Sequence, residues 1–489
     1  MDETKVSIGC PDPFSVAELI AGKKIDWSKK SDEIDALAEI FGVTKEAFLN
    51  NSTTLLCPFI STNSKGALVK ISEEEAEKRL EQFLKANARP QKAVKASTSK
   101  KTLTATQQRK EVINVLLHRE MTEKKIAKEI KARRIVINNS NDSVYLPAGM
   151  QWEDKGYFFN EIAHWYDINQ GAIGDCYFLA ALCSTVYVNS FWIKNNVALR
   201  YKNGVQDDTP WHAIDFYVPE GTRYKSSNAW TNKRGTVQTI VVSEEVLVNE
   251  VNNRKFGVCG VKEKLEGYVN GPKPTLDACW PAVYEKAYAK FLEKCTSDYP
   301  NMNGKINLGN AGGALREILR TENVVEKSLG SLTVDQIWEI GLNAHSKPTC
   351  VSIHSYYDKA KEIYFSKAGT EAEYKNMGLY IGHVYSFLDV VIKNSKKYVV
   401  LRNPHGRNLA ALKRNPNVFH ENWTYNYGAN SANAYRGVSS IYRYVDGNDN
   451  PQKSRGTFLM EINEFKRVFE DVYYYNGPAL DEGLTTLVP

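Results

Sequence analysis

The chain has 489 residues, of which 42% are hydrophobic, 11% aromatic and 25% charged. This composition is ordinary for a folded protein, and it excludes a collagen-like chain, wholesale disorder and a small disulfide-held scaffold. The formal net charge of +6 is uneven: residues 1–84 carry −5, residues 85–110 carry +8, residues 111–134 carry +3, and the rest is neutral overall. Most of the chain therefore shows no net bias toward nucleic acid, and we expect no nucleic-acid partner.

Residues 1–84 have the pattern of a small helical or mixed accessory domain. Ser31 and Ser72 each precede acidic residues and then apolar positions at helical spacing, which predicts two capped helices. Residues 85–110, rich in Lys, Ala, Ser and Thr, predict a flexible basic linker. The alternative, an arm that binds nucleic acid or membrane, lacks the aromatic residues that would stack on bases. A connecting helix is predicted within residues 111–134.

Beyond residue 135, helical patterns are more frequent first and strand patterns later. This order predicts an α+β protein with two lobes, one at residues 135–345 and the other at residues 346–489. The apolar runs that predict strands lie at residues 214–218, 239–242, 384–392 and 398–401, and those that predict helices lie at 176–188, 282–293, 314–319 and 334–343.

No segment of the sequence predicts export or membrane insertion. The start lacks the basic-then-apolar pattern of a signal peptide. The longest apolar run, Cys176–Val188, has 13 residues, whereas a helix needs about 20 to span a bilayer. We therefore expect no membrane span and predict a cytoplasmic location. None of the eight cysteines form a C-x-x-C pair, which excludes a zinc ribbon and a thioredoxin-like redox site.

The strongest local feature is the segment NQGAIGDCYFLAAL at residues 169–182. Two glycines and an Asp lead into an apolar helical run that carries Cys176 in its first turn, where the positive end of the helix favours a thiolate. Gln170 lies six residues upstream, and its amide and the Cys176 backbone N–H would together form an oxyanion hole. The simpler alternative is that Cys176 is one more buried cysteine.

The second chemical feature is a strand pair that carries a His and an Asn. His383 begins the run HVYSFLDVV, a polar turn follows at residues 393–396, and the returning strand ends at Asn403. An antiparallel hairpin brings these two residues close together, so the Asn carbonyl would fix the tautomer of the imidazole. A nucleophilic Cys requires such a base and such an orienting group. The simpler alternative is a structural His at a strand edge.

These features resemble a known family. The blocks QGAIGDCYFLAAL, GHVYSFLDVV and LRNPHG resemble the Cys, His and Asn blocks of the calpain family of papain-like cysteine proteases. The block WPAVYEKAYAK at residues 280–290, with Gly312-Gly313 after it, and the block GTFLM at residues 456–460 also match the family's order. The resemblance covers roughly residues 150–478. Residues 1–134 match nothing, and residues 221–272 look like an insertion.

The resemblance implies an α+β, papain-like two-lobed core of calpain type. Cys176 and Gln170 would lie on the first lobe, and His383 and Asn403 on the second. It also implies an endopeptidase that cuts proteins internally through a Cys-His-Asn triad and needs no cofactor for its chemistry. Two alternatives remain: a non-catalytic calpain-like binding module, and an acyl transferase on the same scaffold. We also expect residues 1–134 to be an inhibitory or targeting segment, removed by self-cleavage between residues 85 and 110.

The chain departs from the family at two positions beside the site. The family has Trp after the Cys and Trp after Asn-Pro, whereas this chain has Tyr177 and His405. The second Trp shields the His–Asn hydrogen bond from water. We therefore expect either a less firmly oriented His383 or an imidazole of His405 packed in the position of the missing Trp. A third reading, His405 as the catalytic base, is disfavoured by its place in the motif.

The resemblance also implies calcium as a possible regulator. Asp167, nine residues before Cys176, matches a carboxylate of the family's first calcium site, although the Glu that completes the site falls at Ala278, beside Asp277. At the second site this chain has Arg455 and Thr457 in place of acids. We predict that the second site is absent, because a cation beside Arg455 would be repelled.

Overall fold

The computed structural model describes residues 11–89, 105–116, 145–146, 150–154, 163–219, 235–249, 257, 279–409, 416–425, 442–445 and 456–480, apart from short gaps within these ranges.

The N-terminal unit consists of four helices and a small hairpin. Its helices begin where Asp12, Asp32 and Ser72 accept hydrogen bonds from backbone N–H groups of the first turn. Asp32 is the cap rather than the expected Ser31, since its carboxylate accepts from the N–H three residues later. The first helix ends at Gly22, whose φ of 61° suits glycine. The elements are α1 (Pro13–Ala21), α2 (Glu33–Phe41), α3 (Lys45–Leu56), β1 (Ile60–Thr62), β2 (Leu68–Lys70) and α4 (Glu73–Ala86).

The flexible linker predicted at residues 85–110 is too long. Helix α4 continues to Ala86, and α5 (Ala105–Leu116) begins inside the predicted linker. The buried side chains that hold α5 in place all lie beyond the basic window, at Val112, Ile113 and Leu116. Residues 90–104 of the linker and residues 117–134 of the predicted connecting helix lie outside the described residues.

The first large core surrounds helix α6 (Cys176–Val188), all 13 residues of which are buried. Helix α8 (Trp280–Glu293) packs against it, with the rings of Phe178 and Tyr288 stacked 3.9 Å apart. The other elements described on this side are β3 (Met150–Asp154), α7 (Phe191–Lys194), β4 (Ala198–Lys202), β5 (Val205–Val218), β6 (Thr236–Ser243), β7 (Glu245–Asn249) and α9 (Ala311–Leu319). Strands β6 and β7 lie within residues 221–272, the region predicted as an insertion, and most of that region lies outside the described residues.

The second core lies on a seven-stranded antiparallel sheet. Its centre is the predicted hairpin, β13 (His383–Lys393) and β14 (Lys396–Arg402), joined by a turn in which Asn394 and Ser395 have φ values of 49° and 60°. The remaining strands of the sheet are β8 (Val324–Ser328), β9 (Thr349–Ile353), β15 (Val418–His420), β18 (Thr457–Glu461) and β19 (Asp471–Tyr475). The strand order is β15-β18-β14-β13-β9-β19-β8.

Smaller elements surround this sheet. They are α10 (Val334–Asn343), β10 (Tyr356–Asp358), β11 (Ile363–Ser366), β12 (Gly369–Thr370), α11 (Glu371–Asn376), β16 (Asn422–Tyr425), β17 (Tyr442–Val445) and α12 (Ile462–Val468). All four strands and four helices that the sequence predicts beyond residue 135 are present. Among the described residues, no helix is long and apolar enough to cross a membrane.

The boundary between the two predicted lobes lies earlier than residue 345. Strand β8 pairs with β19 in the seven-stranded sheet, and Ile337 of α10 is buried in the second core. The sequence conceals β8 because Val324 is the only buried residue of its five, so the strand has no apolar run. Its place at the sheet edge explains this low burial.

Candidate active site

Cys176 is the first residue of helix α6, and its side chain is fully buried. In the loop before it, the Gly174 N–H donates a hydrogen bond to Asn307 Oδ1 at 2.7 Å. The Asp175 carbonyl accepts hydrogen bonds from the backbone N–H groups of Phe178 and Leu179, in the first turn of the helix. Tyr177 takes the position of the family's Trp. Its hydroxyl donates to the Ile306 carbonyl at 3.0 Å, so the polar tip of this buried ring is satisfied.

His383 and Asn403 are joined by a hydrogen bond. His383 is the first residue of β13, Asn403 follows the last residue of β14, and the distance from His383 Nε2 to Asn403 Oδ1 is 2.8 Å. The same Oδ1 accepts from the backbone N–H of His405 at 3.1 Å. Because a carbonyl oxygen only accepts, Nε2 of the neutral imidazole carries the proton. Its other nitrogen, Nδ1, is buried without a hydrogen-bond partner among the described residues and is available as a proton acceptor.

His405 packs against His383 in the position where the family has Trp. The two imidazole rings lie 4.3 Å apart at 35°, and Tyr380 contacts both of them at 5.7 and 5.0 Å. Burial lowers the pKa of His383 well below its usual value, His405 lowers it further, and the hydrogen bond that His383 donates to Asn403 opposes both. Of the two outcomes that the sequence left open, packing of His405 beside His383 is the one observed.

Three contacts bring the Cys side and the His–Asn side together. The backbone N–H of Gln170 donates to the carbonyl of Pro404 at 2.8 Å. Gly406, with φ of 72°, lies against Asn169, where any Cβ would approach its Oδ1 to 1.5 Å. Deeper in the molecule, Ser386 Oγ of β13 donates to the carbonyl of Ala180 in α6 at 2.9 Å. The loop before α6 therefore contacts the loop after β14. The end of β14 lies beside the start of β13, because the two strands are antiparallel.

Gln170 lies in the loop before Cys176 and is almost fully buried. Its Nε2 donates to the carbonyl of Ile173 at 2.8 Å. This bond restrains the orientation of the side-chain amide. The structure thus places Gln170 beside the start of α6 with a restrained amide.

The block at residues 456–460 supports Asn403 directly. The backbone N–H of Asn403 donates to the carbonyl of Gly456 at 2.8 Å. Gly456 has φ of 84°, and a Cβ there would lie 2.5 Å from the Asn403 carbonyl oxygen. Only glycine fits this contact, because both the φ value and the space exclude a side chain. The sequence of the block did not predict that Gly456 supports Asn403.

A second support is a pair of buried carboxyl groups behind Cys176. Asp175 is fully buried, Glu285 of helix α8 is 1% exposed, and both carboxylate oxygens of Asp175 are buried without a hydrogen-bond partner among the described residues. Burial raises the pKa of Asp175 well above its usual value, and the nearby Glu285 raises it further. A buried carboxyl group close to another one is favoured in its neutral form, so the raised pKa favours a proton on Asp175. The signal available in the sequence was the Glu of WPAVYEKAYAK.

Asp167 lies beneath the same loop and is bonded to protein. Its Oδ2 accepts a hydrogen bond from Trp280 Nε1 at 2.7 Å, and its side chain is 7% exposed. Positions 277, 278 and 455, which the calcium prediction also uses, lie outside the described residues. Within the described part of the chain, no three His, Cys, Asp or Glu side chains converge to hold a metal ion. Calcium also binds backbone and side-chain carbonyl oxygens, so the calcium site predicted at Asp167 stays a prediction.

Comparison with known proteins agrees with the resemblance seen in the sequence. Residues 266–476 match the family model described as calpain family cysteine protease. The matched region contains His383 and Asn403 and begins beyond Cys176 and Gln170. The recognition of this family is thereby confirmed over the matched region, and a cysteine peptidase, which is a hydrolase acting on proteins, is the class that it supports.

A curated relative is similar over more of the chain. It is a protein of Porphyromonas gingivalis (strain ATCC BAA-308 / W83) named thiol protease. The two chains are 22% identical over 415 residues, which is 81% of this chain and 76% of the relative. At this identity the match supports a common protease class and leaves the role of individual residues open.

Proposed function

We propose, from the match of residues 266–476 to the calpain family of cysteine proteases, that this chain is a cysteine endopeptidase that hydrolyses internal peptide bonds of proteins. Cys176 is the nucleophile, His383 the acid and base, and Asn403 the residue that orients His383. The α+β core is of the papain-like, two-lobed calpain type, with Cys176 on the first lobe and the other two residues on the second.

The observation that carries the proposal is the tautomer of His383. Its Nε2–H donates to Asn403 Oδ1 at 2.8 Å, while Nδ1 is buried without a hydrogen-bond partner among the described residues. An imidazole held in this way accepts a proton from a thiol. A merely structural buried His would satisfy both ring nitrogens, because an unmade hydrogen bond in a core costs about 1–3 kcal/mol.

In the proposed reaction, His383 Nδ1 takes the proton of the Cys176 thiol, and the sulfur attacks the carbonyl carbon of a peptide bond. The Cys176 backbone N–H and the side-chain amide of Gln170 stabilise the negative charge that develops on the carbonyl oxygen. His383 then gives its proton to the leaving amine, and a thioester remains. Water attacks the thioester, His383 accepts its proton, and the acid product leaves as the thiol is restored.

Cleavage of a denatured protein tests this function. Cys176→Ala is expected to abolish cleavage, and Cys183→Ala is the matched control. Cys183 lies two turns further along the same helix and is equally buried. Its sulfur accepts a hydrogen bond from Arg402 Nη1 at 3.6 Å. Equal cleavage by wild type and Cys176→Ala would refute the proposal, as would an absence of cleavage under every reducing and calcium condition.

The alternative of a non-catalytic calpain-like binding module rests on one observation. Cys176 and His383 are 0% exposed, and Asn403 and Gln170 are 1% exposed, so substrate does not reach them in this conformation. Reaction of Cys176 with a thiol-directed epoxide at neutral pH distinguishes the two functions, because a permanently buried thiol does not react. We expect labelling once the N-terminal unit is displaced.

We further propose that the enzyme trims itself. The cut would fall between residues 85 and 110, in the part that neither α4, which ends at Ala86, nor α5, which begins at Ala105, occupies, because proteases cleave helices poorly. Wild-type protein is expected to separate into two fragments on a denaturing gel, whereas Cys176→Ala stays intact. Trimming of both at the same rate would contradict self-cleavage.

Calcium modulation stays a prediction. A calcium titration of protease activity tests it, with Asp167→Asn as the variant of the one candidate ligand among the described residues. If Asp167 acts only through Trp280, Asp167→Asn lowers thermal stability and leaves the calcium response unchanged. If the variant needs a higher calcium concentration for the same change in protease activity, a metal site at Asp167 is supported.

A further inference from the structure

The N-terminal unit lies across the proposed active site. The backbone N–H of Asp12 donates to the carbonyl of Gly171 at 3.0 Å, and Gly171 directly follows Gln170. The side chain of Asp12 forms an ion pair with Arg407, from Asp12 Oδ2 to Arg407 Nη2 at 2.6 Å. Arg407 is four residues after Asn403. One residue of the N-terminal unit therefore connects the loop before the nucleophile with the loop after the orienting Asn.

Arg407 holds this segment through charge and through an aromatic ring. Its guanidinium lies 4.0 Å from the ring centre of Phe14, at a distance typical of stacking. Asp12 is 1% exposed, whereas the Arg407 side chain is 25% exposed, so the anion is buried and the cation sits at the rim. Nε of Arg407 is buried without a hydrogen-bond partner among the described residues and offers a further donor to a carboxylate.

The ion pair is not needed to attach the N-terminal unit to the rest of the chain. A separate buried cluster does this on another face, where Ser52 hydrogen-bonds Glu371 and Lys375, which are themselves paired at 3.0 Å. Nor is the pair needed to cap helix α1, because the carboxylate of Asp12 also accepts the backbone N–H groups of the first turn. Another explanation is therefore required for a cation that reaches from the catalytic loop to Asp12.

We infer that residues 12–14 occupy the substrate cleft in place of a substrate, and that Arg407 is the residue that selects an acidic side chain there. In the intact chain Arg407 binds Asp12, and after release of the N-terminal unit it binds an Asp or Glu of the protein to be cut, preferably with an aromatic residue two positions later, as in Asp12-Pro13-Phe14. This inference rests on the proposed function and adds the class of substrate sequence.

The first test measures whether Asp12 closes the cleft, by the rate at which iodoacetamide alkylates Cys176 in the full-length protein. Asp12→Asn keeps a good helix cap and removes the charge. We expect about a tenfold faster alkylation, since a buried charge-assisted hydrogen bond is lost. Asp32→Asn is the matched control, because Asp32 caps α2 and pairs with Lys45 away from the site. It should leave the rate unchanged.

The second test measures what Arg407 recognises, by protection of Cys176 in the Asp12→Asn protein. A synthetic peptide of residues 11–22 competes with alkylation, and a second peptide carries Asn in place of Asp. We expect the Asp peptide to protect at about tenfold lower concentration, the effect of one charge-assisted contact. In the double variant Asp12→Asn, Arg407→Gln, the two peptides should protect equally, whereas Arg407→Lys should keep part of the preference.

In these two tests the inference is overturned by equal protection by both peptides in the Asp12→Asn protein, or by an alkylation rate that Asp12→Asn and Asp32→Asn change alike. Neither readout requires peptide hydrolysis. A protein that shows the expected protection but cleaves no substrate would refute the proposed endopeptidase function and leave the role of Arg407 standing. Cleavage of protein substrates with no preference for an acidic residue, by wild type and by an Arg407 variant alike, would refute this inference and leave the endopeptidase function standing.

Discussion

At the scale of single residues, the proposed chemistry depends on how His383 is held. Asn403 accepts its Nε2–H, and His405 covers the pair from one side. A Trp in the place of His405 would exclude water equally well and carry no titratable group. The imidazole of His405 instead places a second titratable ring with its centre 4.3 Å from that of His383, and it lowers the pKa of His383.

Replacing His405 by Trp should therefore make Cys176 more reactive. The pKa of His383 is lowered mainly by burial and then by His405, so removing His405 raises it and lets the protonated form persist to higher pH. We expect about a threefold rise in the alkylation rate of Cys176 at pH 7 in an Asp12→Asn background, consistent with the loss of one like-charge contact. A pH profile of alkylation checks this. His405→Gln, which cannot gain charge, should act in the same direction.

Asn403→Ala should slow the reaction without preventing substrate binding. Without Oδ1, either nitrogen of His383 can carry the proton, and only one tautomer accepts the thiol proton. We expect kcat to fall about 100-fold or more with little change in KM, by analogy with other orienting residues whose loss misplaces a proton. Asn408→Ala is a control nearby, since Asn408 is buried and bonded to the Thr457 carbonyl at 3.2 Å. An equal loss in both variants would indicate general damage to the loop.

At the scale of elements, helix α8 packs behind the loop that leads to Cys176. Trp280 donates a hydrogen bond to Asp167, and Glu285 lies close enough to Asp175 to raise its pKa, so two residues of the block WPAVYEKAYAK face the loop that leads into α6. A third residue of the block, Lys286, pairs with Asp298 at 2.8 Å and donates to the Ser243 carbonyl, which ties α8 to strand β6. The block thus fixes the position of Cys176 while contributing no group to the reaction.

Asp175→Asn should stabilise the protein at neutral and alkaline pH. The folded-state pKa of Asp175 is raised, so the folded protein binds this proton more tightly than the unfolded chain, and stability declines as the pH rises above about 3.8. Asn carries no charge at any pH and so avoids the cost of a buried carboxylate. We expect a gain of about 1 kcal/mol at pH 8 in chemical denaturation and almost none at pH 3. A loss of stability at pH 8 would show that the carboxyl itself is required.

The cluster around His354 makes the seven-stranded sheet sensitive to pH. His354 lies 3.2 Å from Glu470 and 3.0 Å from Asp471. Burial opposes its charge, but hydrogen bonds with Asp471 and Glu470 outweigh burial and raise its pKa to about 9. Burial likewise opposes the charge of Glu470, yet its bond with His354 lowers its pKa to about 2. His354 follows Ile353, which pairs with His383 across the sheet, so this cluster braces the strand beside the site.

The sign of the effect follows from these shifts. His354 stabilises the fold fully below pH 6.5, and this contribution is lost as the pH rises through about 9. Glu470 contributes above pH 4.5 and loses its contribution as the pH falls through about 2. His354→Gln should cost about 3 kcal/mol at pH 6 and far less at pH 10, as measured by denaturant unfolding. A cost that does not change with pH would assign His354 a purely steric role.

At the scale of the whole molecule, the N-terminal unit is held by contacts that do not depend on the chain that links it. These contacts are the cluster of Ser52, Glu371 and Lys375 and the ion pair between Asp12 and Arg407. Arg79 adds a hydrogen bond to Thr54 within the unit and a longer one to the Tyr364 hydroxyl on the catalytic side. Severing the link alone would therefore leave the site covered.

A single cut should accordingly not activate the enzyme at once. In Cys176→Ala protein with a site for a specific protease inserted between residues 90 and 104, we expect residues 1–89 to remain bound after cutting and to co-elute in size-exclusion chromatography at physiological salt. Glu371→Gln should weaken this association about tenfold or more, because it leaves Lys375 buried without its partner. If residues 1–89 separate from the rest of the cut protein at once, without a substitution such as Glu371→Gln, this account is contradicted.

Local features of the sequence determined a large part of the structure. The helix over Cys176–Val188 and the hairpin that joins His383 to Asn403 follow from apolar periodicity and a polar turn, which act between near neighbours in the chain. The same motifs indicated the family, and residues 266–476 match it. The roles of Cys176 and Gln170 stay predictions, since the sequence supplied their types and the matched region does not include them.

Tertiary structure decided the contacts between residues far apart in the chain. Asp12 meets Arg407, Asp175 meets Glu285, and strand β8 joins the second sheet, although no local pattern announces any of these pairs. The physical reason is that such contacts depend on which surfaces the folded lobes bring together, and charge pairing or sheet pairing then acts over a few ångströms whatever the separation in sequence.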